Sequence, residues 1–115
     1  MHKIAFVWPP ATLSGHANGG HWGKIADTRK HRQWARLATL AAALPAMPDE
    51  GDIHVRVTFH PPNRRGDRIN FPNRMKPIFD GIADALGVND ARFLPQYVFA
   101  DVVKGGAVFV EIGRD

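Results

Sequence analysis

The chain contains no cysteine. Disulfides and thiolate metal sites are therefore excluded, and the composition fits a reducing compartment. Long apolar runs are also missing. The stretch Ile4–Trp8 stops at Pro9-Pro10, too short for the core of a secretory signal, and no run approaches the ~18 residues of a membrane-spanning helix. The expectation is a soluble cytoplasmic protein with no membrane partner. No P-loop or dinucleotide fingerprint occurs. Ser14 has no visible base to activate it, which argues against nucleophilic catalysis. His54 and His60 are too few and too far apart for a zinc site. No internal repeat, low-complexity tract or linker interrupts the 115 residues, so the chain reads as one domain over 1–115, large enough to bury roughly two thirds of its unfolded surface.

What is present in excess is positive charge. Lys and Arg number 15 against 11 Asp and Glu, a net charge of +4. Such a balance favours an anionic partner, nucleic acid first. The distribution is more telling than the sum. Arg64, Arg65, Arg68, Arg74 and Lys76 fall within RRGDRINFPNRMK, and Arg29, Lys30, Arg32 and Arg36 within RKHRQWAR. Clusters of this kind create a local field that steers phosphates.

Hydrophobic periodicity gives the elements. Residues 3–8 read as a strand, and the Gly-, Ser- and Asn-rich residues 11–23 as a loop. A helix is expected over 27–44, capped by Asp27 or Thr28, with Trp34, Leu37, Ala41 and Leu44 on one face and Pro45 as its stop. Trp8 and Trp34 are assigned to the core. Residues 52–60 alternate cleanly, with Ile53, Val55, Val57 and Phe59 on the buried side. A second helix over 74–86 carries the stripe Met75, Ile78, Phe79, Ile82 and Leu86, with Asn73 as N-cap and Gly87 as C-terminal stop. Residues 97–103 and 107–112 read as two strands joined into a hairpin at Lys104-Gly105-Gly106. The order β-α-β-α-β-β predicts a compact α+β domain with a mixed or antiparallel sheet and two helices.

Lys76, Asp80 and Asp84 repeat at i, i+4, i+8 along the second helix and form one stripe. A solvated face with an ion pair is the ordinary meaning of that spacing. Against it, Lys preceding an acid is the weaker orientation. The stripe also sets a cation near the positive helix end and an anion near the negative one. Asp67, inside the basic loop, and Asp90, in the connector after the helix, each read either as turn residues or as ligands. If they converge, they suit Mg²⁺, which takes one or two carboxylates together with waters and substrate phosphates. Lys76 would then balance charge on a phosphate, and the arginines would hold the nucleic-acid backbone. His21 and Trp22 could stack on a base, and Asn18-Gly19-Gly20 could approach a phosphate; plain core and loop roles compete with both.

Read together, these pieces resemble the RusA family of Holliday junction resolvases, endonucleases found widely in phages and prophages. The likeness covers most of the chain. It rests on Trp8-Pro9-Pro10, Leu13-Ser14 and His21-Trp22, then RRGDRIN, Lys76, DGIADALG from Asp80, and VND ending at Asp90. The resemblance implies a homodimer that cuts four-way junctions or other branched DNA with Mg²⁺, for which Mn²⁺ could substitute. It casts Asp67, Lys76 and Asp90 as catalytic residues, Asp67, Asp80 and Asp90 as metal ligands, and Arg64, Arg65, Arg68, Arg74 and Asn70 as DNA contacts. Ile69 stands where the family has a second carboxylate, and Asn89 replaces one acid of the terminal pair. Three outcomes follow from Ile69: another acid compensates, activity survives at higher magnesium, or the protein binds branched DNA without cutting it. A basic interaction domain without this chemistry is a further alternative.

Overall fold

The computed structural model describes residues 2–13 and 21–113, apart from the side chains of His21 and Trp22. The expectations for Ser14 and Asn18-Gly19-Gly20 lie outside the described residues, as do those for the His21 and Trp22 side chains.

Four strands, β1 (His2–Phe6), β2 (Ile53–His60), β3 (Phe93–Phe99) and β4 (Ala107–Ile112), form one sheet in the order β1-β4-β2-β3. β4 runs antiparallel to both β1 and β2, while β3 lies parallel to β2. The sheet is therefore mixed, and the α+β architecture is as the sequence predicts. The alternation in β2 sends Ile53, Val55, Val57 and Phe59 to one face, all buried, where they meet Val108, Val110 and Ile112 of β4. Two helices, α1 (His21–Ala41) and α2 (Lys76–Leu86), cover that face through Ala35, Ile78 and Ile82. The opposite face carries polar pairs, such as Arg56 with Glu111 at 2.5 Å across directly opposed positions.

Several sequence expectations are corrected. The predicted hairpin does not form. Val103 to Gly106 do make a turn, closed by the Gly106 N–H on the Val103 carbonyl at 2.8 Å. The strands on either side of it do not pair, because β4 enters between β1 and β2 while β3 is the outer neighbour of β2. β3 also begins at Phe93 and ends at Phe99, not 97–103. The unit β2-α2-β3 is thus a crossover between parallel strands, which needs an intervening helix. β1 ends at Phe6, short of the predicted Trp8.

α1 begins at His21 rather than at 27 and ends at Ala41 rather than at 44. Asp27 is an interior residue, not a cap. Its carboxylate accepts the Thr12 hydroxyl at 2.6 Å, and this bond holds it below the usual carboxylate range. The chain leaves α1 through Ala43, whose φ of 49° takes the left-handed conformation that normally ends helices on glycine. The buried face is also rotated from the predicted one. Ala35, His31 and Thr39 are buried, while Trp34 is 44% and Leu37 49% exposed. Trp34 is a rim residue, with the His31 ring edge-on at 5.1 Å and the Lys30 ammonium 5.2 Å from its centroid. Trp8 does join the core margin, edge-on to Phe71 at 5.0 Å.

The reason is the closeness of the two helices. A Cβ built on Gly81 of α2 would lie 2.2 Å from the Arg32 carbonyl oxygen and 2.8 Å from the Ala35 Cβ of α1. Only small residues permit that approach, so Ala35 and Gly81 occupy the crossing and the larger side chains of α1 turn outward. The apolar stripe of α2 is otherwise as expected, with Met75, Ile78 and Ile82 fully buried and Phe79 and Leu86 packed against them. The helix starts at Lys76, after a 3-10 turn over Pro72–Met75, so Asn73 is not its cap. Gly87, at φ 67°, is its left-handed C-terminal stop.

Candidate phosphate and metal site at the start of the second helix

The first turn of α2 projects Lys76 and Asp80 along the same side, and the Lys76 ammonium reaches Asp80 Oδ1 at 2.9 Å. The same ammonium donates to Asp90 Oδ2, from the connector that leads into β3. Asp90 is held for this contact by its neighbours. Asn89 caps the short 3-10 turn Asp90–Arg92, its side-chain oxygen accepting the Ala91 N–H at 2.9 Å. Arg92 donates to the carbonyls of Gly51 at 2.9 Å and Pro48 at 2.5 Å, fixing the turn to the loop before β2. Asn89, which departs from the resolvase pattern, therefore has a local job: it shapes the turn and leaves Asp90 free to face Lys76.

Electrostatics follow the contacts. The hydrogen bonds that Lys76 donates to Asp90 and then Asp80 raise its pKa, and the ammonium in turn holds the Asp90 carboxyl below its ordinary value. Arg32 of α1 extends the network. It grips Asp84 with two bonds, Nε to Oδ2 at 2.7 Å and an Nη to Oδ1 at 3.0 Å, and lies 4.0 Å from Asp80. This fork is not apparent from the sequence, where Arg32 reads as one of a cluster of cations that steers phosphates. A signal was available in Gly81, set between Asp80 and Asp84, since a glycine inside a helix often marks a close crossing.

Asp67 has a different setting. It is exposed, and its Oδ1 accepts the Ile69 N–H at 3.2 Å, capping the 3-10 turn Arg68–Asn70. The Asn70 N–H closes the turn on the Asp67 carbonyl at 3.0 Å. Among the described residues no three His, Asp or Glu side chains are grouped as ligands for one ion. Asp67, Asp80 and Asp90 thus do not form a ready-made three-carboxylate set. The pair that converges is Asp80 with Asp90, around one cationic group. Those two partly exposed carboxylates are hard oxygen donors of the kind Mg²⁺ takes, and the Lys76 ammonium stands between them. Ile69, at 77% exposure, contributes no donor.

The arginines divide into two kinds. Arg64, Arg65 and Arg68 are exposed and have no ion-pair partner among the described residues. Arg74, expected to contact DNA with them, is a structural residue instead. It is half-buried, donates to the Pro9 carbonyl at 3.2 Å and lies 5.0 Å over the Phe71 ring. Burial pushes its pKa down, and its Nε has no partner.

No protein-family model matches the chain. An uncharacterized protein of Xylella fastidiosa (strain Temecula1) is 34% identical over 117 aligned positions, which cover 97% of this chain and 76% of that protein. The chain belongs to the same family as that protein. Membership extends over nearly all of the sequence, so the site just described lies inside the shared region. Among the described residues no helix is long and apolar enough to cross a membrane.

Proposed function

We propose that the protein is a metal-dependent endonuclease of the RusA type, acting on four-way or otherwise branched DNA, with two copies making the paired cuts. The observation that carries this reading is the convergence of Lys76, Asp80 and Asp90 beyond a loop bearing three unpartnered arginines. Two carboxylates and one ammonium at a partly exposed surface are a poor device for stability, since exposed ion pairs are worth ~0–1 kcal/mol. They are a suitable device for handling a phosphodiester. Asp80 and Asp90 would hold Mg²⁺ or Mn²⁺, which supplies Lewis acidity toward the phosphate when bound. Lys76, kept protonated by its raised pKa, donates a hydrogen bond to the phosphate oxygens as negative charge grows on them. Arg64, Arg65 and Arg68 position the backbone without reading sequence. Asn70 and Asp67 shape the turn that presents Arg68.

A second reading has its own observation. Ile69 is exposed beside Asp67, and Asp67 is committed to a turn, so the loop side of the site is short of one acid relative to the resolvase pattern. On that reading the protein binds branched DNA and does not cut it. A labelled four-way junction, incubated with Mg²⁺, Mn²⁺ or EDTA beside linear duplex, separates the two. Metal-dependent nicking supports the enzyme. Tight junction binding with no nicking, together with nicking gained in Ile69→Asp, supports the binder. Absence of any preference for branched over linear DNA sinks both.

A further inference from the structure

Asp90 reaches Lys76 from a short support. It opens a single 3-10 turn, Asp90–Arg92, between the end of α2 and the start of β3. Inside the turn the Arg92 N–H donates to the Asn89 carbonyl at 3.1 Å, and the Phe93 N–H to the Asp90 carbonyl. These bonds shape the turn without fixing it to the rest of the fold. Phe93, buried and opposite Ile53 in the sheet, anchors it on one side. The Arg92 guanidinium anchors it on the other, with Nε on the Gly51 carbonyl and an Nη on the Pro48 carbonyl.

Two independent features single out the second anchor. Among the described residues, no other hydrogen bond outside the helices and strands reaches residues 44–51, the loop between α1 and β2. Its polar connection to the fold therefore runs through Arg92. The other feature is Gly51. It takes a φ of 89°, in the left-handed region that favours glycine, although a Cβ built there meets nothing within 4 Å. Glycine is thus needed for the backbone conformation in which its carbonyl meets Arg92, and not to relieve crowding. Two carbonyls gripped by separate N–H groups of one planar fork are also an arrangement that a lysine cannot reproduce.

We propose that Arg92 is a positioning residue for Asp90: by locking the turn to the Pro48–Gly51 loop, it keeps the Asp90 carboxylate where it can share a divalent ion with Asp80. The inference rests on the metal reading of those two acids above, and adds to it a residue that is itself no ligand. The direction of the effect separates positioning from plain electrostatics. Arg92 is a cation two residues from Asp90, so loss of its charge alone would strengthen the binding of a divalent cation. Loss of positioning weakens it.

The test is calorimetry of metal-free protein with Mn²⁺, paired with hydrogen exchange of the Ala91 amide, which Asn89 holds at 2.9 Å. Arg92→Ala should weaken Mn²⁺ binding about tenfold, the lower end of what is lost when groups that orient metal ligands are changed. Arg92→Lys, which keeps the charge and loses the fork, should weaken it too. Gly51→Ala alters no charge and no residue of the site, and should act in the same direction through the displaced carbonyl. In the absence of metal, all three variants should speed exchange at Ala91, because the turn opens more often. Unchanged or tighter Mn²⁺ binding in Arg92→Ala, a loss that Gly51→Ala does not share, or unchanged exchange at Ala91 overturns the proposal. If Asp90→Asn still weakens Mn²⁺ binding in that case, only the positioning role falls. No Mn²⁺ binding by wild type overturns the metal reading along with it.

Discussion

Lys76 is the residue on which the site turns. Its ammonium bridges Asp80 and Asp90, so it occupies the position that a divalent ion would otherwise take between them. Lys76→Gln should therefore raise affinity for Mn²⁺, by about fivefold or more given that each unit charge removed is worth ~1 kcal/mol even in water at this range, while any cutting is lost. Isothermal calorimetry with Mn²⁺ checks the first half without reference to activity; weaker metal binding in Lys76→Gln contradicts the arrangement. The pH behaviour has a definite sign. The Asp90 pKa is lowered by Lys76, so the stabilisation from this contact is complete above the unfolded carboxylate value of ~3.9 and disappears as pH falls through the folded value below it. The Lys76 pKa is raised, so its share is complete below ~10.4 and disappears as pH climbs through the folded value above it. The contact is thus intact across the neutral range. An NMR titration of the Asp90 carboxyl should show an upward move in Lys76→Gln, and an unmoved titration would sink the claim that the lysine sets it. The two kinds of arginine make a further contrast. Arg64→Ala should reduce the slope of log affinity against log salt by about one for a lost phosphate contact. Arg74→Ala should leave that slope alone and lower the melting temperature instead, because it removes packing on Phe71 and a bond to Pro9. Equal loss of slope in both variants would return Arg74 to the phosphate-binding group.

At the level of elements, the decisive contact is the crossing of α1 over α2. Gly81→Ala puts a methyl group where the Arg32 carbonyl and Ala35 already stand, and should cost about 1–3 kcal/mol. Thermal unfolding should register a fall of about 5–15 °C. The same variant should disturb the Arg32–Asp84 fork, because the helices must move apart. An unchanged melting temperature would mean that the crossing is looser than the structure shows. This crossing also explains where the sequence misleads. Periodicity weights Trp34 and Leu37, which are large, and overlooks Ala35 and Gly81, which are small. The tightest helix contacts are made by the side chains with the least hydrophobic signal. α2 and β2 were legible because their core residues are both large and regularly spaced. The Lys104-Gly105-Gly106 turn was legible as a turn, but not the pairing of the strands around it, since partners in a sheet are chosen by contacts distant in sequence. For the site, the Lys76–Asp80 spacing could be read directly on a helix. The arrival of Asp90 could only be conditional, because it depends on the crossover from α2 to β3. Arg32 could not be placed at all without the helix crossing.

Across the whole molecule, charge is sorted by use. One sheet face is buried under the helices, and the other pairs its charges locally, as Arg56 does with Glu111. The cations of α1 are partly spent in structure, with Arg32 on Asp84 and Lys30 3.5 Å from Asp27. Among the described residues, Arg64, Arg65 and Arg68 of the basic loop have no ion-pair partner, and they lie on the segment that joins the end of β2 to the start of α2. That segment leads along the chain directly to Lys76 at the start of α2. The most direct test of the account is the rate at which a four-way junction is nicked in Mg²⁺ by wild type and by Asp90→Asn, which is isosteric and cannot ligate as an anion. Wild type is expected to nick the junction in a manner that EDTA abolishes, and Asp90→Asn to lose about 100-fold, the scale of losses when metal-site groups are altered. Equal nicking by the two proteins, or none by wild type at any magnesium concentration, would contradict it.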